Sequence, residues 1–566
     1  MRPPLRDTST ELLVVFAIGS LIGTLVAMTT NAYVGGVQWF TALREGTQLL
    51  TFTIGDATYS LTSVVFLWVA AAVVIAIRRT FGITRWAGPA DSIFAAQQRK
   101  EPLNIKLGIG STLAAFTSAA GGGSVGQYGP LVHFGATLGV VMRRIVPCRL
   151  TPDIYLGCGV AAAISAGFNA PLAGIIFAHE AILRHFSVRA IAPISVASVA
   201  ASTISSVLFP PSQAFLIEAP APALVTLVPI LIVTAPFIAL AAIAYMMTLR
   251  KSQQFAVKTG WSAERLIITA ATVCGLVGVV LPEILGLGIG TMNGILDARY
   301  TLMMLVGLLI MKILMTGLCI GFGLFGGIFS PALFVGVAAG AVIGQITLLA
   351  GLPDIATALS IAAMAAVAAA VIGAPIASVL IVLELTQSYA YAVGALIAVM
   401  AVMLVTHRLF GHSYFDRQLL DRGINLADGR EALALSQHTV AEHVSSDAIR
   451  LTPGTHGTAA LAAMKSAQQT EAYIVDDSGR LLAKVSVHQA IEAAEMPCLE
   501  VADRTPLILS DTDSLADAMK ALSTFVGESI PIVEAPTGRL AGVITEGDLF
   551  QAVLAVQSAI RHEERD

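Results

Sequence analysis

Apolar residues in this chain run in long continuous stretches, near 12–28, 61–77, 107–119, 156–178, 190–208, 222–247, 266–285, 302–319, 331–350, 356–383 and 391–406. A bilayer core takes roughly 20 helical residues to cross, so the longer runs predict membrane helices. Several runs are shorter, or are interrupted by Gly and Pro, as at Gly121–Pro130, Gly167–Pro171, Gly321–Pro331 and Gly373–Pro375. An interrupted helix leaves backbone N–H and C=O groups without partners. Lipid tolerates that only inside protein or beside a polar cavity. Broken helices of this kind belong to transporters and channels that hold ions at helix ends.

Beyond about residue 436 the pattern changes. Short strand-like runs at Ala472–Val475, Leu481–Val487, Pro531–Glu534 and Leu540–Ile544 alternate with amphipathic helices, as in a small α/β domain. Charge follows the same division. The chain of 566 residues is 12% charged and 56% hydrophobic, with a mean hydropathy of +0.79. Residues 437–566 carry 19 acidic and 9 basic residues, near the soluble norm of about 25% charged, whereas the first 436 carry only 18 and 24. The expected organisation is a membrane domain over 1–430 and a soluble acidic domain over 437–566.

The same figures exclude several classes. Hydrophobicity is too high for disorder. Five scattered Cys do not make a disulfide scaffold. With 33 Lys+Arg against 37 Asp+Glu, no nucleic-acid partner is expected. The Gly-rich segments lack a P-loop Gly-Lys-Ser/Thr ending, and no metal-ligand or nucleophile–base spacing stands out, so the chain does not read as an enzyme. Basic Met1–Arg6 followed by apolar Leu12–Met28 has the outline of a signal peptide. Without a small-x-small site near Met28, it reads as the first membrane helix.

The two halves of the membrane region match. Ala170–Glu180 parallels Ala374–Glu384 at an offset of 204, and Pro130 and Gly135 parallel Pro331 and Gly336 at an offset of 201. Each matched break follows a Gly-rich stretch and opens an apolar helix. A helix N-terminus carries unpaired N–H groups and about half a positive charge. It attracts an anion without a cationic side chain, and it releases that anion more readily than a full charge would. Two such ends meeting in mid-membrane predict anion permeation.

The residues at these breaks resemble a known family. Gly126-Gln-Tyr-Gly-Pro130 is similar to the GREGP motif of CLC chloride channels and proton/chloride exchangers. Gly326-Gly-Ile-Phe-Ser-Pro331 is similar to that family's GGIFAP segment, Asn169–Gly174 running on to Glu180 to its NAPLAG helix, and Glu384-Leu-Thr to its late ELT motif. The soluble tail resembles a pair of CBS domains. The resemblance covers nearly the whole chain in order. It implies an all-α polytopic membrane fold, a duplicated inverted repeat of broken helices, followed by an α/β CBS pair. It also implies a homodimer in lipid, in the inner or plasma membrane, with chloride or another small anion as substrate and the tail in the cytoplasm.

Departures from the family pattern bear on mechanism. Where relatives have a gating glutamate, this chain has Tyr128, whose phenol, with an ordinary pKa of about 10, stays neutral. It can donate a hydrogen bond to an anion or plug the path; a residue of an interfacial aromatic belt is the plain alternative. Where exchangers have a second, proton-transferring glutamate, this chain has Ala181, next to Glu180. His133 and His179 are the nearby titratable substitutes. Glu180 itself is expected to bond to backbone.

The family's GSGIP loop matches Trp86–Ala90, with Ala87 in the Ser place and Gly88 retained. The family's inner tyrosine falls at Phe415, or at Tyr414 if the register slips by one. The anion is then left to backbone N–H groups, including those of Ile328 and Phe329, with Gly126, Gln127, Tyr128 and Gly129. Lys312 inside an apolar run is an electrostatic or a structural residue. In the tail, Thr545 and Asp548 match the CBS pattern for an adenosine ribose, while the first copy has Ser486 but Gln489 at the Asp position and so departs from it. An adenine nucleotide is thus left open, and no cofactor is required. Together these readings predict a passive anion channel or uniporter. A proton-coupled antiporter using another proton route, or a sensor whose pore Tyr128 seals, are the competing readings.

Overall fold

The computed structural model describes residues 5–54, 57–98, 103–148, 150–209, 222–426, 429–523 and 525–565. The chain forms two compact units, Met1–Arg422 and Gly423–Asp566.

In the first unit, eight of the helices among the described residues are long and apolar enough to cross a membrane. They include Leu5–Gly46 and Leu224–Lys258, the latter continuous through Pro229 and Pro236. Others are too short to cross: Pro152–Phe168, Ala356–Ile372 and Pro375–Thr386. The apolar runs 156–178 and 356–383 are each split at the Pro-marked breaks. Asn169 and Gly373 end the preceding helices in the left-handed conformation, with φ of 53° and 82°, and Pro171 and Pro375 start the next ones, where a missing N–H costs nothing.

The duplication is complete in order. Ile105–Ala120, Tyr128–Ile145, Pro152–Phe168, Pro171–Phe177 and Val188–Leu208 are followed one repeat later by Leu302–Gly321, Phe329–Leu349, Ala356–Ile372, Pro375–Thr386 and Tyr389–Leu409. Tyr128–Ile145 packs on Pro152–Phe168, and Phe329–Leu349 on Ala356–Ile372. Both pairs use small residues to bring backbones together, as membrane helices commonly do; a Cβ on Gly159 would lie 1.9 Å from the Gly135 carbonyl oxygen. Ala356–Ile372 is buried on every side from Ala358 onward. A helix that is apolar all round can be buried that way.

The repeats meet at an antiparallel bridge. Gly126 N–H donates to Gly327 O at 2.7 Å and Gly327 N–H to Gly126 O at 2.6 Å. The two residues are equivalents at the 201 offset, so the exchange places a local twofold axis between the breaks. The repeats are inverted.

The second unit contains two three-stranded sheets of like order. Arg450–Leu451, Glu471–Val475 and Leu481–Ser486 form one, and Leu509–Ser510, Ser529–Val533 and Leu540–Thr545 the other. Each sheet pairs its first strand parallel and its last antiparallel. Separate apolar cores lie around Ile474 and Val485 and around Ile532 and Ile544. The helix Gly429–Gln437 packs on Leu515–Leu522, with Leu435 against the second core, so this unit begins ahead of the point where the charge density rises.

Candidate anion pathway

Helices Tyr128–Ile145 and Phe329–Leu349 open next to the Gly126–Gly327 bridge. Neither has a side-chain cap, and their first N–H groups have no carbonyl a turn behind them to bond. A Cβ at Gly327 would stand 2.9 Å from Gly129 N, and one at Gly126 2.9 Å from Gly327 O. The crossing therefore requires glycine. Gln127 is buried; its N–H donates to Ser330 Oγ at 3.4 Å, and its Oε1 has no partner.

Tyr128 is 5% exposed. Its ring stacks on Phe168 at 3.7 Å between centroids and meets Phe329 edge-on at 5.8 Å, while Phe168 and Phe329 meet at 5.4 Å. Three rings thus close one side of the junction. The aromatic-belt alternative for Tyr128 does not describe this position. Phe168 went unread in the sequence, although Gly167 signals it: a Cβ there would press on the Tyr128 ring at 3.1 Å.

On the other side of Gly129 lies a cavity of about 70 Å³. Gly88, Gly129, Ile328, Tyr414 and Phe415 line it together, so both register choices for the inner aromatic reach the same space. Tyr245 holds one lining residue from behind, its hydroxyl donating to Ile328 O at 2.9 Å. Asp91, Gln418 and Arg422 also line the cavity, and sequence reading missed all three. Asp91 Oδ2 accepts the Gly88 N–H at 2.8 Å. Its Oδ1 accepts from Arg85 at 2.7 Å and from Arg422 at 3.0 Å. The Ala87 N–H donates to Ser111 Oγ at 2.9 Å. The Ala87–Gly88 loop is thus beside the cavity, with both of its N–H groups already bonded.

The remaining candidates have clear partners. Glu180 accepts the N–H groups of Ile376 and Ala377 at 3.0 and 2.8 Å, and Glu384 accepts those of Leu172 and Ala173 at 2.9 and 2.8 Å. Each repeat caps a helix of the other, as the twofold requires. Ala181 is buried in a short π-helix, Ala178–Leu183. His179 meets the His185 carbonyl at 3.0 Å and stacks on Phe186. His133 pairs with Ser92 Oγ at 2.8 Å. Lys312 is fully buried and donates to Ile284 O and Gly286 O at 3.0 and 2.9 Å, over the Phe334 ring. It therefore holds the loop that Gly286 N–H joins to Gly122 O, at the start of the first break. In the tail, Thr545 Oγ donates to Asp548 Oδ2 at 2.7 Å, and Asp548 N–H returns a bond to Thr545 Oγ at 3.1 Å. Ser486 and Gln489 form the corresponding capping box in the first copy.

Two uncapped helix ends from inverted repeats, meeting at a buried junction, define a membrane anion transporter built on broken helices. The family model for voltage gated chloride channels matches residues 69–407, and that for the CBS domain matches residues 499–555. The chain belongs to the voltage gated chloride channel family and carries a CBS region at its C-terminal end. A Vibrio parahaemolyticus protein named H+/Cl− exchange transporter ClcA is 28% identical over 429 residues, 72% of this chain and 89% of the relative. A Ralstonia nicotianae protein named putative chloride channel protein ClcB-like is 27% identical over 329 residues, 56% of this chain and 76% of the relative. A crystal structure described as a slow cyanobacterial Cl−/H+ antiporter matches with a TM-score of 0.62 at 19% identity, covering 73% of this chain and 97% of its own. At that identity the likeness is one of fold.

Proposed function

We propose that the protein passes chloride, or another small anion, passively through the Gly126–Gly327 junction, without tight coupling to protons. The observation that carries this reading is Tyr128. A neutral phenol packed between Phe168 and Phe329 stands where a carboxylate would otherwise compete with the anion and carry a proton. Ala181 removes the second carrier position. The donors left to the anion are the first-turn N–H groups of Tyr128, Gly129, Ile328 and Phe329, which favour an anion without trapping it. Weak side-chain selection leaves bromide, nitrate, fluoride and bicarbonate as competitors of chloride.

The name of the Vibrio relative favours a second reading, proton-coupled exchange, for which His133 or His179 would have to supply the proton route. Proteoliposome assays separate the two. Passive flux predicts chloride efflux that needs a potassium–valinomycin shunt, with no proton uptake against an imposed chloride gradient. Uphill proton movement selects exchange. No anion flux in either assay selects a sensor whose pore Tyr128 seals. We also propose, on the family resemblance, a homodimer in the inner or plasma membrane with its tail in the cytoplasm. That resemblance leaves an adenine nucleotide at Thr545 and Asp548 as the ligand to titrate by calorimetry.

A further inference from the structure

We infer that Asp91 is a tethered competitor of the permeating anion at one mouth of the pathway, and that Arg422 is the cation for which the two compete. The inference rests on the reading of the cavity as part of an anion path. Asp91 and Arg422 line that cavity beside Gly88 and Gly129. On the Gly129 side the wall offers first-turn N–H groups with no carbonyl behind them. On the Gly88 side Asp91 holds the Gly88 N–H at 2.8 Å, Arg85 at 2.7 Å and Arg422 at 3.0 Å, and the Ala87 N–H goes to Ser111 Oγ.

A carboxylate and a halide want the same things, a guanidinium and unpaired N–H groups. Two guanidiniums share one carboxylate here, so the mouth keeps one net positive charge. Arg85 is the more exposed of the two, at 53% against 28% for Arg422. When Asp91 leaves with Arg85, it frees Arg422 and the Gly88 N–H toward the cavity together, and an entering anion replaces it on both. An ordinary helix cap needs only the Gly88 contact. The second oxygen, held by an arginine from 331 residues away, is what places Asp91 in competition.

The test measures chloride dependence of efflux from proteoliposomes for the wild type, Asp91→Asn, Arg422→Gln and the double variant. The same four proteins are titrated with chloride by calorimetry in detergent, so that a protein without measurable flux still gives a result. Asparagine keeps the shape and can still accept the Gly88 N–H. One charge removed a few ångströms away is worth on the order of tenfold. Asp91→Asn should lower the chloride concentration for half-saturation by about that factor, and Arg422→Gln should raise it. In the Arg422→Gln background the Asp91 change should lose most of its effect, because its competition runs through that arginine. Weaker chloride binding by Asp91→Asn, or strictly additive effects in the double variant, would overturn the inference. Absence of flux in the wild type with the expected binding shifts would sink the permeation reading and leave the competition standing.

Discussion

In the proposed reading, Tyr128 carries the most functional weight of any single residue. Its ring is held on two sides by Phe168 and Phe329, so its removal opens space instead of letting neighbours collapse fully into it. Tyr128→Ala should raise anion flux several-fold, read as the initial rate of chloride efflux; an unchanged rate with unchanged selectivity would take the ring out of the path. Tyr128→Glu should bring a block that deepens as pH rises and the carboxylate ionises, still without proton pumping, because Ala181 has nothing to relay with. A robust exchange ratio in that variant would refute the two-carrier argument. Glu180 and Glu384 have a different role. Glu180→Ala strands the N–H groups of Ile376 and Ala377 and should destabilise the protein by about 1–3 kcal/mol, measured as thermal unfolding in detergent. Glu384→Ala should match it by symmetry.

Among the elements, the two helices that open at the Gly126–Gly327 bridge matter most. Tyr128–Ile145 and Phe329–Leu349 are useful because they begin inside the protein, and they begin there because Gly126 and Gly327 let two backbones pair at hydrogen-bond distance. Gly327→Ala puts a methyl 2.9 Å from Gly129 N. The helix ends must then part, at a cost of about 1–3 kcal/mol, and the donors no longer converge. Flux should fall sharply while the protein still folds, which size-exclusion chromatography alongside the efflux assay would establish. Alanine at Gly351, where nothing lies within 4 Å, is the control for crowding, although its φ of 81° adds backbone strain of its own.

For the molecule as a whole, the two units answer to different physics. The first is held by helix packing among small side chains. The second has its own cores and a buried ion pair, Glu471–Lys484 at 2.7 Å. Burial pushes the Glu471 carboxyl up, but Lys484, the Glu528 N–H and the Ser529 hydroxyl outweigh it and hold the group below the usual carboxylate range. A depressed carboxyl contributes stability that is present above its unfolded value, about 4.3, and is lost as pH falls through the folded value. The Gly423–Asp566 unit should therefore lose stability below about pH 4, and Glu471→Gln should flatten that part of the curve. Urea unfolding of that unit across pH 3–7 checks it.

Much of this was legible from residues alone. Uninterrupted apolar runs specify membrane helices because lipid offers the backbone no other partner. Gly–Pro breaks specify where those helices start, and the matched offsets of 201 and 204 specify that the set occurs twice. Tyr128 and Ala181 could be read in the same way, since a missing carboxylate is a property of the chain itself. The sequence did not disclose the Phe168 stack, the exchange of caps between Glu180 and Glu384, or the Asp91–Arg422 pair. The last two join residues 196 to 331 positions apart. Local propensity decides where a helix can begin and what charge it carries. Which donor faces which acceptor across the molecule is decided only when the inverted repeats close on each other, and that closure set an ordinary helix-capping aspartate in the wall of the cavity beside Gly129.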